Sequence, residues 1–157
     1  MLWLVNPLLQ LAHHARRAVY RLLNVQTRGV KVMLFDGEGR LLLVRNSYGK
    51  TQQHLLPGGG VKRHEAPMAA AAREVREEVG IEAAELTLFA IYVSELEGRR
   101  DTIHLFTART RDEAIADGVE VAEARFFALD ALPETLSAAT ARRVAEYRRE
   151  QPVAPRW

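Results

Sequence analysis

The sequence predicts one α/β domain with a helical extension at its N-terminus. Stretches rich in β-branched and aromatic residues occur in pairs around glycine-containing turns, and helical periodicity occurs between and after these pairs. The 157 residues suffice for one core and are too few for two ordinary domains. We therefore place a helical extension at residues 1–28 and the domain at residues 29–157.

The composition excludes several classes of protein. Apolar residues make up 48% and charged residues 27% of the chain, as in soluble globular proteins and unlike collagen-like or disordered chains. The chain has no cysteine, which excludes a disulfide scaffold and a thiol nucleophile and fits a reducing compartment. Its apolar runs are far shorter than the roughly 20 residues that cross a bilayer. We expect a cytoplasmic protein without a transmembrane segment.

Charge is distributed unevenly, although the net charge is only +2. Residues 1–35 carry +5, residues 36–141 carry −6 and residues 142–157 carry +3. An acidic middle between arginine-rich ends fits a carboxylate metal site that receives an anionic substrate. Helix surfaces solvated by arginine are the alternative explanation. Because these ends contain few interleaved aromatic residues, we expect no stable nucleic-acid complex.

The first predicted element is an amphipathic helix from about residue 7 to residue 23. Pro7 suits a first helical turn, and apolar residues such as Leu8, Leu11 and Val19 recur at helical spacing. The opposite side is basic, a combination that also occurs in helices lying on anionic membranes. We expect the simpler outcome, in which the helix packs on its own domain or on the second subunit of a homodimer.

Strands and helices then alternate along the chain. Two predicted β-hairpins are formed by residues 29–35 with 41–45 and by residues 86–96 with 102–109. A helix is predicted over residues 67–79, because proline begins it and Gly80 follows it at the position of a left-handed cap. Its predicted buried stripe is Met68, Ala72, Val75 and Val79. A last strand at 124–129 and a closing helix at 133–149 complete the domain.

Three carboxylates lie on one side of the predicted helix 67–79. Glu74, Glu77 and Glu78 are spaced i, i+3 and i+4, so their side chains point the same way. Like charges arranged in this way repel, and a hard divalent cation relieves the repulsion by accepting their oxygen atoms. The preceding glycines 58–60 let the backbone approach a metal or a phosphate. A solvated glutamate-rich helix is the alternative that charge spacing alone leaves open.

The full spacing of residues 59–81 resembles the Nudix box at every fixed position. The matching residues are Gly59, Glu65, Arg73, Glu74, Val75, Glu77, Glu78, Gly80 and Ile81. This resemblance implies the Nudix fold, an α/β/α sandwich around a mixed β-sheet. It also implies attack of water on phosphorus in a nucleoside diphosphate derivative. His64, where glycine is common in the family, departs from the pattern at a position that is not fixed.

The resemblance also implies roles for individual box residues. The expected ligands of Mg²⁺ or Mn²⁺ are the carbonyl of Gly58 and the carboxylates of Glu74, Glu77 and Glu78. Arg73 is expected to orient these glutamates through charge-assisted hydrogen bonds, while Glu65 is usually structural in the family. The expected cofactor is thus a divalent ion, and the expected catalytic residues within the box are Arg73, Glu74 and Glu77.

Residues outside the glutamate helix complete the expected site. MutT-type members draw a general base and metal ligand from a late loop, for which Glu120 is our first choice and Glu123 the next; a solvated loop glutamate is the alternative. Arg45 resembles an arginine that often reaches substrate phosphates, and a salt bridge at a strand end is the alternative. The backbone N–H groups of Gly59 and Gly60 are expected to contact substrate.

Substrate markers of the family are mostly missing outside the box. ADP-ribose hydrolases often have a proline about where Leu96 and Glu97 occur here. Elimination favours a small MutT-like enzyme acting on a nucleoside triphosphate or a nucleotide sugar. The alternative is a Nudix-fold module that binds a nucleotide without cleaving it, and a degenerate box would favour that alternative. Because this box is complete, we expect an enzyme with a small-molecule nucleotide substrate.

Overall fold

A computed structural model of the chain describes residues 26–47, 52–96 and 99–157. The predicted N-terminal helix, and the homodimer contact expected of it, lie outside the described residues. Within those ranges, no helix is both long and apolar enough to cross a membrane. The elements in chain order are β1 (Gln26–Phe35), β2 (Leu41–Asn46), β3 (His54–Leu55), α1 (Pro67–Val79), β4 (Ala84–Leu96), β5 (Arg99–Arg109), β6 (Val121–Phe127) and α2 (Ala138–Tyr147).

The strands form one mixed sheet in the order β3-β2-β1-β5-β4, and β6 pairs with β2. The second predicted hairpin is confirmed, since β4 and β5 pair antiparallel. The first predicted hairpin forms only next to its turn, where Phe35 pairs with Leu41. Strand β1 instead pairs in parallel with β5 along its whole length. Strand β6 begins and ends earlier than the predicted residues 124–129.

Each face of the sheet carries one helix. Along β1, Val30, Val32 and Leu34 belong to the same apolar cluster as the buried side of α1. The alternating residues Met33 and Phe35 belong to a second cluster that contains part of α2. Because side chains of a strand alternate between its two faces, the two helices cover opposite sides of the sheet. The predicted α/β/α sandwich is therefore confirmed.

Helix α1 begins and ends where the sequence predicts. Gly80 follows it with φ 71°, and its N–H donates to the carbonyl of Arg76, which ends the helix in the left-handed conformation that glycine favours. The buried stripe differs from the prediction, because Met68 in the first turn is 51% exposed. The residues that pack on the sheet are Ala70, Ala71, Val75 and Val79. Small alanine side chains thus make much of this contact.

Helix α2 begins at Ala138, later than the predicted residue 133. The side chain of Ser137 accepts the N–H of Thr140 at 3.1 Å and so forms the N-terminal cap. The residues before the cap pair with the short strand β3 instead of joining the helix. The N–H of His54 donates to the carbonyl of Thr135, and the N–H of Ser137 donates to the carbonyl of His54. This pairing explains the late start of α2.

Candidate active site

The glycine loop before α1 lies along one edge of β1. The N–H groups of Val30 and Val32 donate to the carbonyls of Gly59 and Pro57 at 2.9 and 3.0 Å. The N–H of Val61 donates to β1 in return, at the carbonyl of Arg28. Since the other edge of β1 pairs with β5, the loop is fixed to a central strand of the sheet. The start of the box therefore has a rigid support.

Gly58 occupies a position that tolerates only glycine. Its φ is 132°, and an added Cβ would collide with the carbonyl oxygen of Val30 and lie 3.0 Å from the Cα of Lys31. The absence of a side chain lets the backbone of residue 58 approach both β1 and α1. Its N–H donates to the carboxylate of Glu78 at 2.9 Å. The loop and the glutamate helix are thereby joined directly.

The guanidinium of Arg73 connects the expected site residues. Its Nε and Nη2 donate to the two carboxylate oxygens of Glu65 at 2.8 and 2.9 Å. Its Nη1 donates to Glu74 at 2.7 Å and to Glu77 at 3.1 Å, and Nη2 also donates to the carbonyl of Gly60 at 3.0 Å. These bonds raise the pKa of Arg73, with the hydrogen bond to Glu65 as the largest cause. Arg73 thus hydrogen-bonds to three glutamates at once, and its role in orienting metal ligands stays a prediction.

The loop between Lys62 and Glu65 closes in a tight turn. The N–H of Glu65 donates to the carbonyl of Lys62, and the N–H of Lys62 donates to the carboxylate of Glu65. Hydrogen bonds from Arg73 and from the Lys62 N–H lower the pKa of Glu65 to about 2. His64 adopts φ 64°, in the left-handed region, so a glycine at this position would relieve a conformational cost of about 1–2 kcal/mol.

The donor atoms of Glu74, Glu77 and Glu78 fit Mg²⁺ or Mn²⁺ in chemical type, since these ions prefer hard oxygen ligands. Glu74 is 12% exposed at its side chain, whereas Glu77 is 51% exposed. A Cβ on Gly59 would lie 2.5 Å from the carboxylate of Glu74, so the bare glycine makes room for this group. Within the described ranges, three acidic or histidine side chains do not converge on one point that suits a metal ion. Their role as ligands stays a prediction.

Lys31 of β1 enters the site from the other side. Its ammonium donates to the carbonyl of Gly58 at 2.7 Å and to that of Leu56 at 2.9 Å. Burial lowers the pKa of Lys31, and the charges of Glu78 and Glu74 oppose that shift. An ammonium group thus lies beside the carbonyl that the resemblance assigns to the metal. The sequence analysis missed Lys31, although a single charged residue within the apolar run 30–35 could have indicated it.

Glu120 lies on a loop that is fixed to the end of α1. The N–H groups of Ile115 and Asp117 donate to the carbonyls of Val79 and Glu78 at 3.0 and 3.1 Å. Asp117 in turn accepts the N–H of Glu120. Burial raises the pKa of Glu78, and the negative charge of Glu120 contributes to the shift in the same direction. Glu120 is therefore close enough to Glu78 to act on it electrostatically.

Arg45 and Glu123 form an ion pair with each other. Nε and Nη2 of Arg45 contact the same carboxylate oxygen of Glu123 at 2.9 and 2.8 Å. The two residues lie directly opposite in the antiparallel pair of β2 and β6. This contact matches the salt bridge that the sequence left open for Arg45. The arginine's role with substrate phosphates stays a prediction, and Glu123 is engaged structurally.

The fold and the site together define an α/β/α protein whose glycine loop and glutamate helix are joined by one arginine. A family model described as NUDIX domain matches residues 25–147. The chain therefore belongs to the Nudix family. A crystal structure of a MutT NUDIX hydrolase from Burkholderia pseudomallei aligns with a TM-score of 0.68 at 26% identity. That alignment covers 82% of this chain and 98% of the other.

Two curated relatives carry the names of enzymes. Diphosphoinositol polyphosphate phosphohydrolase 2 from Rattus norvegicus is 34% identical over 90 residues, which cover 57% of this chain and 50% of that protein. An RNA pyrophosphohydrolase from Teredinibacter turnerae is 37% identical over 62 residues, or 40% of this chain and 36% of that protein. The chain thus spans half or less of the length of these relatives.

Proposed function

We propose that this chain hydrolyses a diphosphate linkage in a nucleoside diphosphate derivative with the help of a divalent metal ion. The observation that carries the proposal is the set of hydrogen bonds from Arg73 to Glu65, Glu74 and Glu77 within a complete box. Nudix hydrolases generally use divalent ions, and the names of the curated relatives describe hydrolysis of diphosphate compounds. A degenerate box would favour a module that only binds its ligand, whereas the box of this chain is complete.

Each residue has a role in the proposed reaction. Mg²⁺ or Mn²⁺ held by Glu74, Glu77 and Glu78 would neutralise the diphosphate and lower the pKa of the attacking water. Arg73 keeps the carboxylates in place, so their positions need little reorganisation during the reaction. Glu120 is the proposed general base: it accepts a proton while the water oxygen bonds to phosphorus and the bond to the leaving phosphate oxygen breaks.

A nucleoside triphosphate or a nucleotide sugar is the proposed substrate. This choice rests on the missing markers of other subgroups and on the MutT-like fold. The names of the two curated relatives add a diphosphoinositol polyphosphate and RNA to the compounds worth testing. The cytoplasmic location and the absence of a stable nucleic-acid complex stay predictions that go with this choice.

The test measures release of phosphate and pyrophosphate from a panel of diphosphate compounds with Mg²⁺ or Mn²⁺. The panel contains nucleoside triphosphates, nucleotide sugars, ADP-ribose, dinucleoside polyphosphates, a diphosphoinositol polyphosphate and RNA with a 5′-triphosphate. We expect Glu77→Gln and metal removal by EDTA each to abolish turnover, because the substitution removes a hard anionic ligand.

Glu82→Gln is the matched control, since Glu82 is an exposed glutamate just beyond α1. We expect this variant to turn over substrate like the unaltered protein. Turnover that survives both Glu77→Gln and EDTA would contradict the proposal. Nucleotide binding without turnover of any compound would instead support the non-catalytic module.

A further inference from the structure

Lys31 brings a positive charge into direct contact with a group of the expected metal site. Its ammonium donates to the carbonyl of Gly58, which the Nudix resemblance assigns to the divalent ion, at 2.7 Å. The second acceptor is the carbonyl of Leu56 at 2.9 Å. Among the described residues, the ammonium forms no direct ion pair with a carboxylate. Lys31 therefore binds an oxygen atom that the metal ion is expected to need.

The same ammonium lies in the field of two glutamates that are expected to bind the metal. Burial lowers the pKa of Lys31, whereas the negative charges of Glu78 and Glu74 act to raise it. These carboxylates are thus close enough to attract the ammonium, as they would attract a divalent ion. Lys31 interacts with Gly58, Glu74 and Glu78, all of them expected ligands of one ion.

The glycine loop fixes the direction in which the Gly58 carbonyl points. The N–H of Gly58 donates to Glu78 at 2.9 Å, and the carbonyls on either side of Gly58 accept hydrogen bonds from β1. The φ of 132° and the close approach to β1 leave this position to glycine alone. The backbone is therefore held in place, and this carbonyl does not turn away from Lys31.

The side chain of Lys31, in contrast, has space in which to move. It lines two cavities of about 630 and 800 Å³, one beside the glycine loop and the other beside α2. A lysine stem is flexible, and its ammonium can exchange carbonyl acceptors for water in such a cavity at a small net cost. Lys31 is thus the mobile partner of its contact with Gly58.

We propose that Lys31 competes with the divalent ion for the carbonyl of Gly58 and thereby lowers the metal affinity of the site. Two cations at one oxygen atom repel each other at short range, so the ammonium leaves the carbonyl when a divalent ion binds. Without the ion, Lys31 partly neutralises the acidic site. The inference rests on the proposed function, because it takes Gly58 and the glutamates as metal ligands.

Titration of the full chain with Mn²⁺, followed by electron paramagnetic resonance of the free ion, measures this competition without catalysis. We expect Lys31→Met to bind Mn²⁺ about tenfold or more tightly, since the substitution removes the like charge and frees the carbonyl. Lys62→Met is the matched control, because Lys62 is an exposed lysine just after the glycine loop. We expect it to change the affinity by about twofold or less. Circular dichroism checks that both variants fold.

A crystal structure of the unaltered chain with Mn²⁺ tests the same contact without any substitution. We expect Nζ of Lys31 to lie in one of the two cavities, beyond hydrogen-bond distance of the Gly58 carbonyl. Bound Mn²⁺ at the glutamates with this hydrogen bond intact would overturn the inference. Weaker or unchanged Mn²⁺ binding by Lys31→Met would also overturn it, because a lysine that only supports the loop has that effect. Equal tightening in both lysine variants would show a general effect of charge and overturn it too.

Glu77→Gln separates this inference from the proposed function. If that variant binds Mn²⁺ like the unaltered chain, the ion does not bind at the box, and the inference fails together with the metal role in the proposed function. If Glu77→Gln weakens binding but Lys31→Met does not strengthen it, the inference alone fails. If Lys31→Met strengthens binding but the chain cleaves no compound of the panel, the hydrolytic function fails and the inference stands.

Discussion

At the scale of single residues, Arg73 uses its whole guanidinium group. The group has five N–H donors, and it makes five hydrogen bonds to three glutamates and one carbonyl. Lysine, a compact cation on a flexible stem, has three donors and no planar fork. A positive charge alone at this position is therefore insufficient to hold the carboxylates in one arrangement.

We expect Arg73→Lys to lower kcat/KM by about 10–100-fold, the range typical for partners that orient metal ligands. Steady-state kinetics on the best substrate of the panel would measure this loss. Arg76→Lys is the matched control, because Arg76 is an exposed arginine on the same helix. Both variants should fold, which circular dichroism would check. Full activity of a folded Arg73→Lys protein would show that the fork is not required.

At the scale of elements, the signals that predicted α1 are local. Proline at the first turn and glycine after the last turn act through their own backbone preferences, so a single sequence suffices to find both ends. The start of α2 was missed because the deciding contacts are distant. Ser137 and Thr135 hydrogen-bond to His54, which lies far away in sequence. The pattern of apolar residues within 133–149 carries no information about that contact.

The candidate site shows the same division. The box residues could be predicted because their spacing along one loop and one helix is fixed. Lys31 was missed, since it reaches the site only through the alignment of the glycine loop along β1. The pairing of Arg45 with Glu123 likewise depends on the register of β2 and β6. Long-range strand register is what the sequence analysis could not supply.

The two hydrogen bonds from Arg73 to Glu65 join the glycine loop to α1. Because Glu65 is a carboxylate, their strength depends on pH. The pKa of Glu65 is about 2 in the folded chain, below its ordinary value of 4.5. A carboxylate with a lowered pKa stabilises the fold fully above its unfolded value, and the stabilisation is lost as the pH falls from 4.5 towards 2. Acid should therefore loosen the loop from the helix.

We expect Glu65→Gln to lower the midpoint of urea unfolding at pH 7. Between pH 7 and pH 3, the midpoint of the unaltered chain should fall more than that of the variant, because only the unaltered chain loses the Glu65 contribution. Glu82→Gln serves as the control and should follow the unaltered chain at both values. An equal fall of the unfolding midpoint in the unaltered chain and in Glu65→Gln would contradict this account.

At the scale of the whole molecule, the C-terminal tail completes the domain on the α2 side. The N–H of Val93 donates to the carbonyl of Pro155, and the N–H of Trp157 donates back to the carbonyl of Val93. The tail thereby adds to the edge of β4, the outermost strand in the sheet order. The family match ends at residue 147, so this closure lies beyond the shared domain.

The tail also covers a buried ion pair. Arg143 and Glu146 are fully buried and contact each other at 2.8 Å. The hydroxyl of Tyr92 donates to Glu146 at 2.6 Å, and burial with this hydrogen bond raises the pKa of Tyr92. The guanidinium of Arg143 donates to the carbonyl of Arg156 and lies 5.3 Å from the ring centre of Trp157. A buried pair is stable only while its partners remain in place.

We expect Trp157→Ala to lower the free energy of unfolding by about 2 kcal/mol, because it removes apolar contact with Tyr92 and opens the ion pair to water. Denaturant unfolding would measure the change. Val153→Ala is the control within the tail; Val153 is 51% exposed, so its loss should stay within about 0.5 kcal/mol. Equal effects of the two substitutions would show that the tail does not depend on the Trp157 contact.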